Sequence, residues 1–389
     1  MLSQRTSWSL SRNALTVETD ARRARGAAFD DLTASNPTRV GLSPAEGALR
    51  AALAAPGVGR YDPEPLGLPA AREAVCAYYA ALGCAVDPSR VVLTASTSEA
   101  YGWLFKLLCD PGDEALVARP GYPLFDELAR LEGVTLRPFE LVYEGRWELD
   151  VDAVRAALTE RTRAVMIVHP NNPTGSFVSP ASRDALASLC AERGVALVVD
   201  EVFLDWAWTD VAHAGSFADE SRCLTFTLGG LSKAVALPQV KLAWTVVSGP
   251  EALRDAALAR LELVADVYLS VSAAAQLAAP ALLALRGPVL ARGLARVRAN
   301  RAALLARVDA RSCATVLRAE GGWYAVLQVP RTMSEDEWVL ALLDDARALV
   351  QPGWFYDFAE EGRLVVSLLP EEGVFAAAID RVIARIDRA

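Results

Sequence analysis

The sequence predicts an α/β protein: a large doubly wound mixed sheet followed by a smaller α+β part. Three observations predict it. Short β-branched runs alternate with stretches of helical period through the middle of the chain. Most of those runs have no polar alternate face, as expected of strands covered on both sides. The alternation stops near residue 285, and at 389 residues the chain is too long for one small core.

In order, the expected strands are 91–95, 115–118, 134–138, 164–169, 196–200, 223–227 and 242–248, with helices between them at 98–108, 180–193 and 251–263. The alanine-rich stretch 269–285 is broken by serines, Gln276 and Pro280, and reads as a buried helix, not a membrane span. Then come a long helix (289–308), strands near 314–318 and 323–328, a helix at 335–345, a strand at 363–369 and a final helix from 372. This divides the chain into a large domain, 46–285, and a small one built from 1–45 and 286–389.

Composition narrows the function. Apolar residues make up 53% and charged residues 22%, as in an ordinary soluble protein, and the net charge of −9 disfavours nucleic acid as a partner. Six scattered cysteines, with no C-x-x-C pair, read as buried thiols of a reducing compartment, not a disulfide frame or zinc site. With only His169 and His213, no histidine-rich metal site is expected. The first twenty residues contain no apolar run of signal length, so a cytoplasmic location is expected. Lysine occurs only at 106, 233 and 241, although lysine and arginine together number 39. A chain that uses arginine for generic positive charge has reason to keep a lysine where its amine must react.

The loops after the strands carry the chemistry, because ligands bind beyond the carboxyl ends of such strands. The apolar strand 196–200 ends in Asp200 and Glu201. A carboxylate there either caps the next helix or meets a cation. Small residues crowd before Lys233 in TLGGLSKAVALPQVK, reading as a glycine turn or as a close approach to a ligand. HPNNPTG (169–175) is a rigid turn. TASTSEAYGWLF (94–105) passes from strand to helix with hydroxyls at the helix start, where free amides cap or bind an anion.

Taken together, Y-x-x-x-x-x-G at Tyr61–Gly67, the turn at 94–100, PGDEALVARPGYPLF (111–125), N-N-P-T-G at 171–175, D-E-V at 200–202 and S-K at 232–233 resemble the class I/II pyridoxal-phosphate-dependent aminotransferases of fold type I. The resemblance runs from about residue 61 to 363. It implies that Lys233 holds pyridoxal 5′-phosphate as a Schiff base and then carries the substrate proton. Asp200 would pair with the pyridine nitrogen, Asn172 with the ring oxygen, and Tyr122 would stack on the ring. Thr97, Ser98 and Lys241 would hold the phosphate. Tyr61 would reach the neighbouring active site of a homodimer.

Four positions depart from the family pattern. Phe203 stands where a tyrosine is usual, Gly230 where a serine is usual (with Thr227 or Ser232 as substitutes), and Lys241 ends the family's P-G-x-R as Pro238-Gln239-Val240-Lys241. Val365 stands where an arginine clamps the substrate α-carboxylate. Arg363, on the same strand face ~7 Å away, and Arg39, in the loop SNPTRVG with Asn36, are the candidate replacements. Trp8, Tyr101 and Trp323 are candidate pocket walls. The expected function is amino transfer between an amino acid or amine and a keto acid. A lyase, decarboxylase or oxidase using the same cofactor, or a non-catalytic relative, is the alternative.

Overall fold

The computed structural model describes residues 2–209, 213, 215–269, 271–308 and 310–389. Eight strands form the large sheet: β1 (Val91–Thr94), β2 (Glu114–Arg119), β3 (Thr135–Tyr143), β4 (Trp147–Leu149), β5 (Thr162–Val168), β6 (Ala196–Asp200), β7 (Thr225–Gly230) and β8 (Ala243–Ser248). Their order across the sheet is β1-β8-β7-β6-β5-β2-β3-β4. The central strands run parallel, while β8 is antiparallel to both of its neighbours. The strand interiors are continuous apolar runs because both faces are covered. Phe226 and Val198 pack among Tyr101, Trp103 and Leu261 on one side, and Leu197 and Val165 among Leu186, Leu189 and Phe217 on the other.

The register explains why motifs far apart in sequence meet. Val168 lies opposite Asp200, and Asp200 opposite Leu228. The loops that follow β5, β6 and β7 therefore leave from one edge. Two antiparallel pairings, β1 on β8 and β8 on β7, give β1 the same direction, so the loop after Thr94 opens at that edge too.

Helix starts and stops follow local chemistry. Ser96 caps the helix Thr97–Leu108 through its side chain, Ser179 caps Pro180–Arg193 with proline in its first turn, and Gly194 ends that helix at φ 62°. Ser334 and Glu337 form a reciprocal capping box on Glu335–Asp345.

A second sheet joins Thr315–Val316, Tyr324–Gln328, Arg363–Ser367 and Gln351–Pro352, all antiparallel and in that order. One face, with Leu364 and Val366, packs on Trp338, Leu342, Phe375 and Ile379. The other, with Val326 and Val365, joins the core of the large sheet. The N-terminal segment is tied to this sheet: Asp30–Asp31 pairs with Ala348–Leu349, and the Ser367 amide donates to Leu32 O.

Two features differ from the sequence expectation. The glycine pair before Lys233 is the end of β7, not a turn. A Cβ on Gly229 would fall 2.5 Å from Trp244 Nε1, so glycine is what lets this strand lie against the indole. The strand expected at 134–138 continues to Tyr143 and turns at Gly145 into β4. Among the described residues no single helix is long and apolar enough to cross a membrane. Ala273–Leu283 buries Ala275, Ala278, Ala279 and Leu282 against Val75, Tyr79 and Leu93.

Gly175 locks the two sheets together. Its carbonyl accepts from the amides of Glu320 (3.1 Å) and Gly321 (2.9 Å), its φ is 65°, and an added Cβ would lie 2.2 Å from Gly321 O. Gly175→Ala is expected to cost about 3 kcal/mol or more, through strain and the loss of both bonds. Thermal denaturation checks this, with an expected fall in Tm of roughly 4 °C or more.

Candidate active site

Asp200 sits at the end of a buried strand, 5% exposed. Its Oδ2 accepts from the Tyr101 hydroxyl (3.1 Å) and its Oδ1 from the Val202 amide (3.1 Å). Burial raises its pKa to about 6, against the pull of those two bonds and of Lys233. At neutral pH it remains ionised.

Lys233 follows β7 on a one-turn helix, Leu231–Ala234, and Trp206 Nε1 donates to its carbonyl (3.1 Å). Its Nζ lies 4.6 Å from the Trp323 ring centre and 5.5 Å from that of Phe203. Trp323 is itself wedged edge-on between Phe203 and Trp206. Burial lowers the Lys233 pKa to about 8, opposed by Asp200. An ordinary lysine amine is almost wholly protonated at that pH, whereas this one is about half neutral and able to attack a carbonyl.

The remaining groups arrive on neighbouring loops. Burial beside Asp200 and Tyr324 pushes the Tyr122 phenol up to about 12, and its ring packs edge-on against Phe125 at 5.4 Å. Asn172 is buried, and its side-chain oxygen has no partner. The preceding Asn171 donates to Pro120 O (3.1 Å) and Thr174 Oγ1 (2.9 Å), tying this turn to the loop that carries Tyr122. Thr97 and Ser98 open a twelve-residue helix, so their amides precede the first intrahelical acceptors and face outward at the positive end of the helix dipole. Lys241 is exposed at φ 61°, and the Thr94–Ala243 register, continued, sets it opposite Ser96. The Thr227 hydroxyl is buried without a partner.

The structure thus brings Lys233, Asp200, Tyr122, Asn172, Trp323 and the Thr97–Ser98 turn to one sheet edge. Other candidates are engaged elsewhere or lie at the surface. Arg363 is buried at the far end of its strand, opposite Gln328, and its guanidinium pairs with Glu360 at 2.9 Å. The Asn36 side chain accepts from the amide (3.0 Å) and hydroxyl (2.7 Å) of Thr38, closing its own turn, and Arg39 is exposed. Tyr61 is 80% exposed and lines a cavity of about 460 Å³ with Arg60, Ala265, Leu269 and Gln276. Trp8 is on an arm whose Ser7 hydroxyl is bonded to Arg130. Three groups beside the site were not singled out in sequence: Ser35, Tyr356 and, apart from its strand, Tyr324. Nothing local marks them, since they meet only through the second sheet.

Tyr101 is the group whose role the structure sharpens. It lies one helical turn after Thr97, so one rigid helix presents both the free amides and the hydroxyl that holds Asp200. Tyr101→Phe keeps the edge contact with Phe125 (5.0 Å) but leaves Asp200 Oδ2 without its donor. A hydrogen bond to a charged group contributes roughly 1.5–3 kcal/mol. The expected result is a fall of roughly 10-fold in kcat at nearly constant KM, with the acid limb of the pH profile moved upward.

A strand-end carboxylate, a lysine of lowered basicity between it and a helix N-terminus, and unpaired buried oxygens of Asn172 and Thr227 fit pyridoxal phosphate: a base for its nitrogen, an amine for its carbonyl, amides for its phosphate. The class these features define is that of the fold-type I pyridoxal-phosphate enzymes. The family model for aminotransferase class I and II matches residues 32–381, and the chain belongs to that family, whose members depend on pyridoxal phosphate. The chain is 26% identical to alanine aminotransferase of Mycobacterium tuberculosis over 76% of its own length and 70% of that protein. It is 30% identical to the S-alkyl-thiohydroximate lyase of Arabidopsis thaliana over 51% of its length and 43% of the lyase. The match spans less than half the length of several such curated relatives. Alanine aminotransferase from Pyrococcus furiosus superposes with a TM-score of 0.90 over the whole of both chains at 24% identity, which shows the fold.

Proposed function

We propose that the protein is a pyridoxal-phosphate-dependent aminotransferase, moving an amino group between an amino acid or amine and a keto acid in a ping-pong cycle. The observation that carries this is Lys233 facing Asp200 across one sheet edge, the lysine held at about pKa 8 by burial. The cofactor, when bound, supplies an electrophilic carbonyl and an electron-withdrawing ring. Asp200 would keep that ring charged, Asn172 and Tyr122 would orient it, and Thr97, Ser98 and Lys241 would hold its phosphate. Lys233 would hold the cofactor through its carbonyl carbon and, as a free amine, would carry the proton between the substrate α-carbon and that same cofactor carbon. The aromatic wall of Phe203, Trp206 and Trp323 keeps water from the reacting amine. Phe203 donates no hydrogen bond, so Tyr122 and Asn172 carry more of the orientation than in relatives with a tyrosine there.

The working unit in this proposal is a homodimer in the cytoplasm. Tyr61 projects from the surface, and Leu263, Val267, Tyr268 and Leu269 are exposed near the cavity it lines. Such a patch suits an isologous interface through which Tyr61 enters the neighbouring site. The six cysteines are unbridged, which suits a reducing compartment, but Cys76 and Cys109 are half-buried and Cys313 is exposed, so not all are the buried thiols expected from the sequence.

An absorbance spectrum tests the reading. The purified protein with added cofactor should show a visible band that Lys233→Ala lacks, and an amino acid should convert it to the pyridoxamine form without a keto acid present. Turnover should then require a keto acid. Turnover with no acceptor would make the protein a lyase or decarboxylase, and no band at all would end the enzyme reading.

A further inference from the structure

Among the described residues, the position on the second sheet where an arginine would meet a substrate carboxylate carries Val365, which is no cation. Tyr324, Val326 and Gln328 stand opposite Ser367, Val365 and Arg363, and directly opposed residues share a face. Val365 is fully buried among apolar side chains, with Tyr356 in the same cluster. Arg363, two residues on, is paired with Glu360, and its amide donates to Glu335 Oε1 at 2.8 Å.

What fills this end is a set of hydroxyls. Tyr324 follows Trp323, whose ring centre is 4.6 Å from Lys233 Nζ, and Ser367, its partner across the pairing, donates to Ala34 O at 2.6 Å, next to Ser35. The rings of Tyr324 and Tyr356 are 6.2 Å apart at 61°. Tyr356 O accepts from the Gly121 amide at 2.9 Å, which fixes it to the loop bearing Tyr122. Tyr122 in turn has its phenol pKa raised by burial and by both Asp200 and Tyr324. The hydroxyl set therefore borders the reactive lysine and carboxylate.

We infer that Ser35, Tyr324 and Tyr356 form the carboxylate-binding end of the substrate site, in the place an arginine at 365 would otherwise serve. The inference rests on the aminotransferase reading. Three O–H donors match the lone pairs of one carboxylate, and an O–H to a charged oxygen makes a short, strengthened bond. Burial raises both phenols above their ordinary pKa, so they stay protonated donors at any working pH. Neutral donors bind less tightly than a two-pronged guanidinium, and their binding changes little with salt.

The test uses Tyr324→Phe, Tyr356→Phe and Arg39→Gln, loaded with cofactor, with L-alanine and alaninamide as donors. Each tyrosine variant should raise KM for alanine roughly 10-fold with kcat nearly unchanged, and should affect alaninamide much less. Unmoved KM in both tyrosine variants, or a rise seen only in Arg39→Gln, would overturn the assignment. Failure of every amine to change the spectrum would instead count against the aminotransferase reading. Calorimetric titration with pyruvate then decides the carboxylate site by itself. A dissociation constant raised in both Phe variants upholds it; equal constants, or no binding to the unaltered protein, overturn it.

Discussion

Lys233→Met is expected to lower turnover on the order of 10⁵-fold and to make the cofactor-free protein more stable at pH 7. The two effects have one cause. Burial against Trp323 and Phe203 makes the ammonium form unfavourable, bringing the pKa from 10.5 to about 8. That is what frees a neutral amine for reaction, and it is also a cost to the fold. The sign follows from linkage: a depressed folded-state pKa on a base is a destabilisation. It is present in full below about pH 8 and fades as pH rises toward the unfolded value. Methionine keeps the aliphatic stem without the charge. After allowing for Asp200 losing its counter-charge, a net gain on the order of 1–2 kcal/mol is expected at pH 7. It should shrink steadily between pH 8 and 10.5. Thermal denaturation of the two apo proteins across that range measures it. A methionine variant less stable than the parent at pH 7 would mean that the lysine is held by favourable contacts, not by burial against its preference. Turnover is read separately with alanine as donor and 2-oxoglutarate as acceptor. Lys233→Arg should be equally inactive, because a guanidinium does not deprotonate and so cannot attack.

Much of this site could be read in the sequence because the residues concerned are chemically expensive where they stand. Lys233 was conspicuous in a chain that otherwise spends its positive charge on arginine. Asp200 was conspicuous at the end of an apolar strand, where a carboxylate needs a reason. The strand–helix alternation followed from apolar runs covered on both faces, and the edge on which the loops meet followed from their being parallel. What stayed hidden depended on tertiary register. The bond from Tyr101 to Asp200 crosses from helix to strand over 99 residues of sequence, and a buried tyrosine on a helix looks like core. Arg363 was correctly placed on the Val365 face, but its commitment to Glu360 lies in a loop geometry that spacing does not reveal. The Ser35–Tyr324–Tyr356 set joins three distant segments, and only the antiparallel pairing of the second sheet brings them together. The glycines before Lys233 left both a turn and a close approach to a ligand open, because their true constraint, the indole of Trp244 on the adjacent strand, is a packing fact.

Asp200→Asn should lower kcat on the order of 10³-fold while leaving the fold intact. Asparagine has nearly the same shape: its oxygen can accept from the Val202 amide while its NH2 donates to the Tyr101 hydroxyl oxygen, but it carries no charge. The buried carboxylate interacts with Lys233 and with the phenols of Tyr101 and Tyr122. Removing it withdraws the charge that would keep the cofactor ring protonated, so the ring would lose its pull on electrons at the substrate α-carbon. The effect belongs to the chemical step, so kcat falls and KM moves little. The pH dependence distinguishes this from a general loss of structure. Asp200 titrates near 6 in the cofactor-free protein, so reconstitution with pyridoxal phosphate should weaken as pH falls through that value, and it should strengthen as Lys233 deprotonates toward pH 8. Asp200→Asn should lose the lower limb and keep the upper one. If the variant binds cofactor with an unchanged acid limb, that limb belongs to the phosphate or to another group, and Asp200 is a structural acid at a strand end. The same profile on Tyr101→Phe closes the argument: a carboxylate deprived of one donor but still present should show its limb shifted to higher pH, not abolished.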